Sequence, residues 1–290
     1  MKRIMFLILA LALVLSGCAT PREPAQIAAT TLPVYEFTAR LCDGTGITVT
    51  RLITENVSCL HDYSLNVSQV KAAEAAELVV ISGAGLEEFM EDILPEEDLL
   101  DSSSGIELIE CSDPHEHDSH DHHHHEVDSH IWLSPENAKQ MAVNICIGLI
   151  RQYPEKESVF ESNLQPLLAD IDALQAYGEQ ALSGLSCREL ITFHDGFSYL
   201  ASSFNLTILE AVEEESGSEA SAAELKHLIE EVRHHDLPAI FTETNGSDSA
   251  ASVISRETGT AVYTLDMAMS GDSWFDAMYH NIDTLKEALG

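Results

Sequence analysis

Basic residues are scarce in this chain. Its 290 residues carry 14 Lys and Arg against 49 Asp and Glu, a formal net charge of −35. Binding to nucleic acid or to anionic lipid needs a positive surface, so both are disfavoured and an attracted cation fits the composition better. Close cysteine pairs are missing as well. The six cysteines (Cys18, Cys42, Cys59, Cys111, Cys146 and Cys187) include no C-x-x-C pair, which argues against a thiolate zinc motif and against a dithiol redox motif. No H-E-x-x-H occurs, so a common helix of zinc hydrolases is absent. The apolar run from Ile4 to Leu15 is too short to span a bilayer, which takes roughly 20 residues.

That short run has another use. Lys2 and Arg3 precede it and Leu15-Ser16-Gly17-Cys18 follows, the pattern of a secretory signal with small residues at its cleavage site. It resembles a bacterial lipoprotein signal, which implies removal of residues 1–17 and lipidation of Cys18. One acyl chain anchors marginally, whereas the several chains carried by such a cysteine hold a protein at the membrane, here on the extracytoplasmic side. The mature chain then has 12 basic and 49 acidic side chains, a net charge of −37. Of its other five cysteines, Cys146 lies in an apolar helical stretch and reads as core. Cys42 and Cys59 are candidates for a disulfide in an oxidising compartment, and the odd count leaves at least one thiol free.

What is abundant is histidine in one place. Eight of the 14 histidines fall between residues 115 and 130: His115, His117, His120, His122, His123, His124, His125 and His130. Imidazole is the commonest protein ligand for zinc-like cations, and a tract of it interleaved with Asp and Glu holds such ions in many weak, exchangeable ways. A purification tag has a different character, since this tract is internal, carries acids between its histidines and runs directly into Ile131-Trp132-Leu133-Ser134-Pro135. Residues 113–126 show no apolar periodicity, so they cannot bury a core and are expected to supply weak auxiliary metal sites only.

Hydrophobic patterning predicts an α/β protein of two lobes with parallel sheets, joined by a long backbone helix. In the first lobe (18–152) strands are expected at Ile47–Ile53, Leu78–Ser82 and Ile106–Glu110, with helices at Val67–Glu77 and Leu86–Ile93 and another from Pro135 to about Arg151. Strands alternating with helices argue for a parallel sheet. Within the connecting segment 153–184, Phe160, Leu164, Leu167, Leu168, Ile171, Leu174 and Leu182 follow a 3-and-4 spacing. This predicts a helix of roughly 28 residues, about 42 Å long, running from Pro154 to about Ala181. Pro166 inside it is expected to kink the rod, which leaves it as one piece or two. The second lobe (185–290) repeats the alternation, with strands at Leu190–Phe193, Leu206–Val212, Ala239–Thr242 and Ala261–Leu265. Helices are expected near Gly196–Phe204, Ala220–His235, Ser247–Thr258 and Ser273–Leu289.

His194, Glu243 and Asp266 each stand directly after one of these strands, on the rim where open α/β sheets place ligands. A strand-end acid is also a common helix cap, Asp above all. With His61 and His130 added, the candidate metal ligands are His61, His130, His194 and Asp266, separated by 69, 64 and 72 residues. Ligands so far apart come from four loops, two in each lobe, and the site falls in the cleft between the lobes. Three imidazoles and one carboxylate suit four-coordinate zinc, whereas fewer histidines and more carboxylates tilt toward manganese. Glu243 is the alternative to Asp266 or a group standing behind the ligands.

At these positions the chain resembles the zinc-binding and manganese-binding lipoproteins that deliver metal to ABC transporters. Leu60-His61-Asp62-Tyr63 is similar to the first ligand loop of that family. Asp128-Ser129-His130-Ile131-Trp132-Leu133-Ser134-Pro135 is similar to the motif carrying the second ligand, and the acidic histidine-rich segment before it is typical of the zinc members. Thr192-Phe193-His194-Asp195-Gly196-Phe197 resembles the third-ligand segment, and Tyr263-Thr264-Leu265-Asp266 the strand end that supplies the fourth. Thr31–Thr38 looks like the family's first strand and helix start. The chain departs from the family where prolines usually stand: the residue before the first histidine is Leu60, Ser64-Leu65 follows the tyrosine, and Ser129 occupies the proline position of the second motif.

The resemblance implies a monomeric extracytoplasmic receptor, lipid-anchored through Cys18. It captures Zn2+, with Mn2+ a poorer candidate, and docks on an ABC permease without chemistry on its cargo. Two other readings fit parts of the pattern: a secreted zinc hydrolase with Glu243 as general base, and a metal-binding surface adhesin.

Overall fold

The computed structural model describes residues 26–57, 60, 63–94, 98–110, 127–212 and 220–290. Cys18, Cys59, His61, Cys111 and the histidines from His115 to His125 lie outside the described residues.

Each lobe is built on one four-stranded parallel sheet. The first contains β1 (Ile27–Ala29), β2 (Val49–Arg51), β3 (Leu78–Ile81) and β4 (Leu99–Asp101), in the order β2-β1-β3-β4. Helices α1 (Leu32–Leu41) and α2 (Val67–Glu74) connect its strands. The central strands β1 and β3 are buried at every position, as expected where helices cover both faces of a parallel sheet. Local chemistry fixes the helix starts. Asn66 and Gln69 form a reciprocal capping box at α2, and Ser134 caps α3 (Pro135–Gln152), with proline at the first position where its missing N–H costs nothing.

The second sheet contains β5 (Glu189–Thr192), β6 (Thr207–Ala211), β7 (Ala239–Glu243) and β8 (Ala261–Leu265), in the order β6-β5-β7-β8. Its helices are α5 (Ser198–Ser203), α6 (Ala222–His234), α7 (Ser249–Thr258) and α8 (Trp274–Leu289). These elements coincide with the sequence expectation. Two features of the first lobe do not. Its fourth strand is Leu99–Asp101 and not Ile106–Glu110, because three residues are too few to display an alternation, and the backbone of Ile109 and Glu110 is engaged elsewhere. Strand β1 was not expected as such, since Thr31–Thr38 falls almost wholly in α1.

The connecting helix α4 (Glu157–Ala181) has 25 residues, about 37 Å at 1.5 Å per residue, and a short 3-10 turn at Pro154–Lys156 precedes it. Pro166 lies inside it and does not split it. The buried stripe of Phe160, Leu167, Ile171 and Leu174 on either side of the proline holds the two halves as one helix. Among the described residues no helix is long and apolar enough to cross a membrane. Cys146 is core as expected, Cys42 is a buried free thiol among the described residues, and Cys59, its candidate partner, lies outside them.

The lobes are fastened together near their rims. The Trp132 indole N–H donates to the Met267 carbonyl at 2.7 Å, and that of Trp274 to the Trp132 carbonyl at 3.1 Å. The Leu32 amide reaches Met269 O at 3.2 Å, and the Glu36 carboxylate accepts from the Trp274 amide at 2.6 Å.

In both sheets the strand order reverses beside the first strand, so each has a crevice at its carboxyl edge between its two central strands. The first lobe fills its own crevice. The buried Glu87 carboxyl there accepts from the Thr30 hydroxyl (2.6 Å) and from the amides of Ser82 (2.8 Å) and Gly83 (3.0 Å). Burial outweighs those three hydrogen bonds and pushes the Glu87 pKa up to about 7. The folded state therefore keeps a proton that the unfolded chain gives up near 4.5. The stability this contributes is complete below about pH 4.5 and declines as pH rises to about 7, by about 3 kcal/mol in all. Glu87→Gln should flatten that part of the stability profile. Parallel pH–Tm curves for the variant and the parent would show that Glu87 does not titrate in this window.

Candidate metal centre

The crevice of the second lobe carries a side chain that reaches the first lobe. β5 ends at Thr192, and the turn that follows carries His194, 9% exposed. From the first lobe comes His130, 3% exposed, at the start of a 3-10 turn leading into α3. The two imidazoles meet with Nε2 to Nε2 at 3.4 Å and their rings nearly perpendicular at 86°.

Behind each ring stands a carboxylate. Asp128 Oδ1 accepts from the His130 amide at 2.9 Å and lies 2.8 Å from its Nδ1. A proton on Nδ1 satisfies that contact and leaves the Nε2 lone pair pointing at His194. On the other side Glu243 Oε2 lies 3.5 Å from His194 Nδ1. Glu243 is buried, and burial pushes its carboxyl up to about 8. Asp195 is raised by burial first, then by the charge of Asp128, with His130 opposing. Asp128 Oδ2 and Glu243 Oε2 are buried without a hydrogen-bond partner among the described residues, so the site holds more acceptor oxygens than its own donors satisfy.

Gly196 makes this approach sterically feasible. A Cβ there would stand 2.7 Å from His194 Cδ2 and from Met267 Cε, and 2.9 Å from His130 Cε1, so any larger residue drives the rings apart.

Asp266 follows β8 as expected. Its backbone is held from both sides by Asn281, whose amide oxygen accepts from Asp266 N (2.7 Å) and whose amide nitrogen donates to Asp266 O (2.7 Å). Its Oδ1 accepts from the Ala268 amide at 2.7 Å. Among the described residues no three His, Cys, Asp or Glu side chains are gathered into a metal-holding group. The structure thus joins His130 to His194, puts Glu243 behind His194, and leaves Asp266 engaged with its own chain. Leu60 and Tyr63, which bracket His61, are described: Leu60 is buried, and Tyr63 N donates to Leu60 O at 3.0 Å.

Asp128, which contacts both the amide and the ring of His130, is the residue of this cluster that sequence reasoning passed over. Its signal was the two-residue spacing to His130, which lets one carboxylate reach both the amide and the ring of the histidine.

Two parallel α/β lobes bridged by one long helix, with a histidine pair where their rims meet, define a two-lobed binding protein of the cleft type. The chain belongs to the family of zinc-uptake complex component A, periplasmic, whose family model matches residues 27–288. It is 29% identical over 310 residues to the zinc-binding lipoprotein AdcA of Streptococcus pneumoniae serotype 4, an alignment covering 99% of this chain and 61% of that protein. To the high-affinity zinc uptake system protein ZnuA of Bacillus subtilis it is 27% identical over 288 residues, covering 92% and 88%. A crystal structure of ZnuA superposes with a TM-score of 0.79 at 28% identity, covering 92% of this chain and all of that one.

Proposed function

We propose that this protein is an extracytoplasmic receptor that captures Zn2+ between its lobes and hands it to an ABC-type importer. One observation carries the reading. Two nitrogens bound to one zinc at 2.0–2.1 Å with a tetrahedral angle stand about 3.3 Å apart, and His130 Nε2 and His194 Nε2 are separated by 3.4 Å. The Asp128 carboxylate at His130 Nδ1 supports it, because ligating histidines commonly donate their second N–H to such a group, and Glu243 stands 3.5 Å from His194 Nδ1 on the other side. His130 and His194 are assigned as ligands, with His61 as the third. Asp266 is the fourth, which requires its free carboxylate oxygen to face the ion. Glu243 is assigned to orienting His194 through Nδ1. That position supports a receptor over a hydrolase, since a general base belongs on the side of the ion. Manganese fits less well, because the donors are mainly imidazole.

In this reading the segment of His115, His117, His120, His122, His123, His124 and His125 gathers zinc loosely beside the tight site. Deleting residues 114–125 should leave one tightly bound zinc per molecule and remove further weak ones in a calorimetric titration. Loss of the tight site on deletion, or a single zinc bound by the intact protein at every concentration, would refute this division.

The anchor is assigned to lipid on Cys18, motivated by Leu15-Ser16-Gly17-Cys18. Cys18→Ala should leave the protein unprocessed or release it from the membrane fraction. A variant processed and detergent-extracted like the parent excludes the anchor.

A further inference from the structure

Tyr199 lies on α5, five residues beyond His194, and is 4% exposed. Its hydroxyl crosses to the first lobe. It donates to the Asp128 carbonyl at 3.1 Å and accepts from the Ile109 amide at 3.0 Å. Those two residues flank the histidine-rich segment, whose ends are drawn together by the Asp128 amide donating to Ile109 O at 2.8 Å and by an antiparallel bridge between Glu110 and Val127. One hydroxyl thus closes the base of that segment from the opposite lobe.

Asp128 is the same residue whose carboxylate grips the amide and Nδ1 of His130. Tyr199 and His194 ride on one short piece of the second lobe, from the end of β5 to the first turn of α5. The path from one candidate ligand to the other is therefore short and hydrogen-bonded: His194, the β5–α5 turn, Tyr199, Asp128, His130. We infer that Tyr199 is a positioning residue that sets the spacing of the two imidazoles, and with it the tightness and shape of the zinc site, by holding Asp128. This rests on His130 and His194 being zinc ligands. A site built from two lobes needs such a tie, because ligands carried by separate bodies otherwise lose affinity to relative motion before the ion arrives.

The test is a double-mutant cycle on the full chain, with zinc affinity read by chelator competition and site geometry by the visible spectrum of the Co2+-loaded protein. Tyr199→Phe keeps the buried ring and removes only the hydroxyl. It should weaken zinc by about tenfold, the lower end of what orienting partners of metal ligands contribute, and alter the cobalt spectrum while retaining one ion per chain. In an Asp128→Ala background the same change should have little further effect, because the path is already cut. Tyr153→Phe, which loses a hydroxyl contact to Glu77 far from the site, controls for loss of stability alone and should leave affinity and spectrum as in the parent.

Equal losses from Tyr199→Phe in both backgrounds would mean a merely structural role and overturn the inference. So would a Tyr199→Phe protein with parental affinity and spectrum while His130→Ala binds poorly. If His130→Ala itself binds zinc as the parent does, the site lies elsewhere, and the proposed zinc site falls together with the positioning role. If Tyr199→Phe does not fold, 3-fluorotyrosine at position 199, which keeps the ring and changes the strength with which the hydroxyl donates to Asp128 O, should shift the cobalt spectrum, and an unaltered spectrum there overturns the inference.

Discussion

His130→Ala and His194→Ala are each expected to lower the affinity of the tight zinc site by more than about 100-fold, since loss of a partner that merely orients a ligand already costs 10–100-fold. Either change takes away a direct donor and leaves its carboxylate, Asp128 or Glu243, buried without the imidazole it faces. The effect should show in competition with a chelator of known strength, and stoichiometry at the tight site should fall toward zero at low free zinc. In the parent, binding should weaken as pH falls, because each ligating imidazole must be neutral and protons compete for Nε2. Both histidine variants should lose part of that pH dependence along with the affinity. A His130→Ala or His194→Ala protein that holds one zinc as tightly as the parent would sink the assignment of the site.

Trp132→Ala should be the most destabilising single change at the junction of the lobes. The ring is completely buried, packs edge-on near the His130 ring with centroids 5.4 Å apart, and ties the lobes by donating its indole N–H to Met267 O, while the Trp132 main-chain carbonyl, which the substitution keeps, accepts from Trp274 Nε1. Removing a buried aromatic ring costs about 3–5 kcal/mol through lost transfer energy and the cavity left behind. The Met267 carbonyl then loses its donor, a further cost of about 1 kcal/mol or more. For a protein of this size the sum corresponds to a fall in Tm of roughly 10 °C or more. Zinc affinity should fall as well, because Met267 follows Asp266 in the chain and its side chain lies with those of His130 and His194 around Gly196. Trp132→Phe, which keeps most of the ring volume, should lose distinctly less stability. A thermal melt of Trp132→Ala within about 2 °C of the parent would show that this contact does not hold the lobes.

Most of the second lobe was legible from its residues because its strands are four or five residues long, apolar and flanked by well-formed helices, so periodicity locates them and the polar residues at their carboxyl ends follow. The first lobe was harder. Strands of three residues such as Ile27–Ala29 and Leu99–Asp101 carry no period, and the apolar stretch at Ile106–Glu110 imitates a strand while its backbone is committed to Asp128 and Tyr199. Pro166 shows the opposite failure: a local rule foresaw a break, and packing along α4 overrode it.

What the sequence determined by itself was the class of fold, and it pointed to a kind of ion. The alternation of strand and helix patterns argues for a parallel α/β arrangement, and an acidic chain with clustered imidazole fits a borderline, nitrogen-preferring cation. Only the tertiary structure decided which groups meet. His130 and His194 are 64 residues apart in the chain and 3.4 Å apart in space, the His130 ring is held by Asp128, and Glu243 arrives beside His194 from another strand altogether. Spacing along a chain constrains what lies within one helix or strand. The distance between two loops of different lobes is fixed by how their sheets and the helix between them pack, so the Asp128, Glu243 and Tyr199 contacts emerge only once that packing is in place.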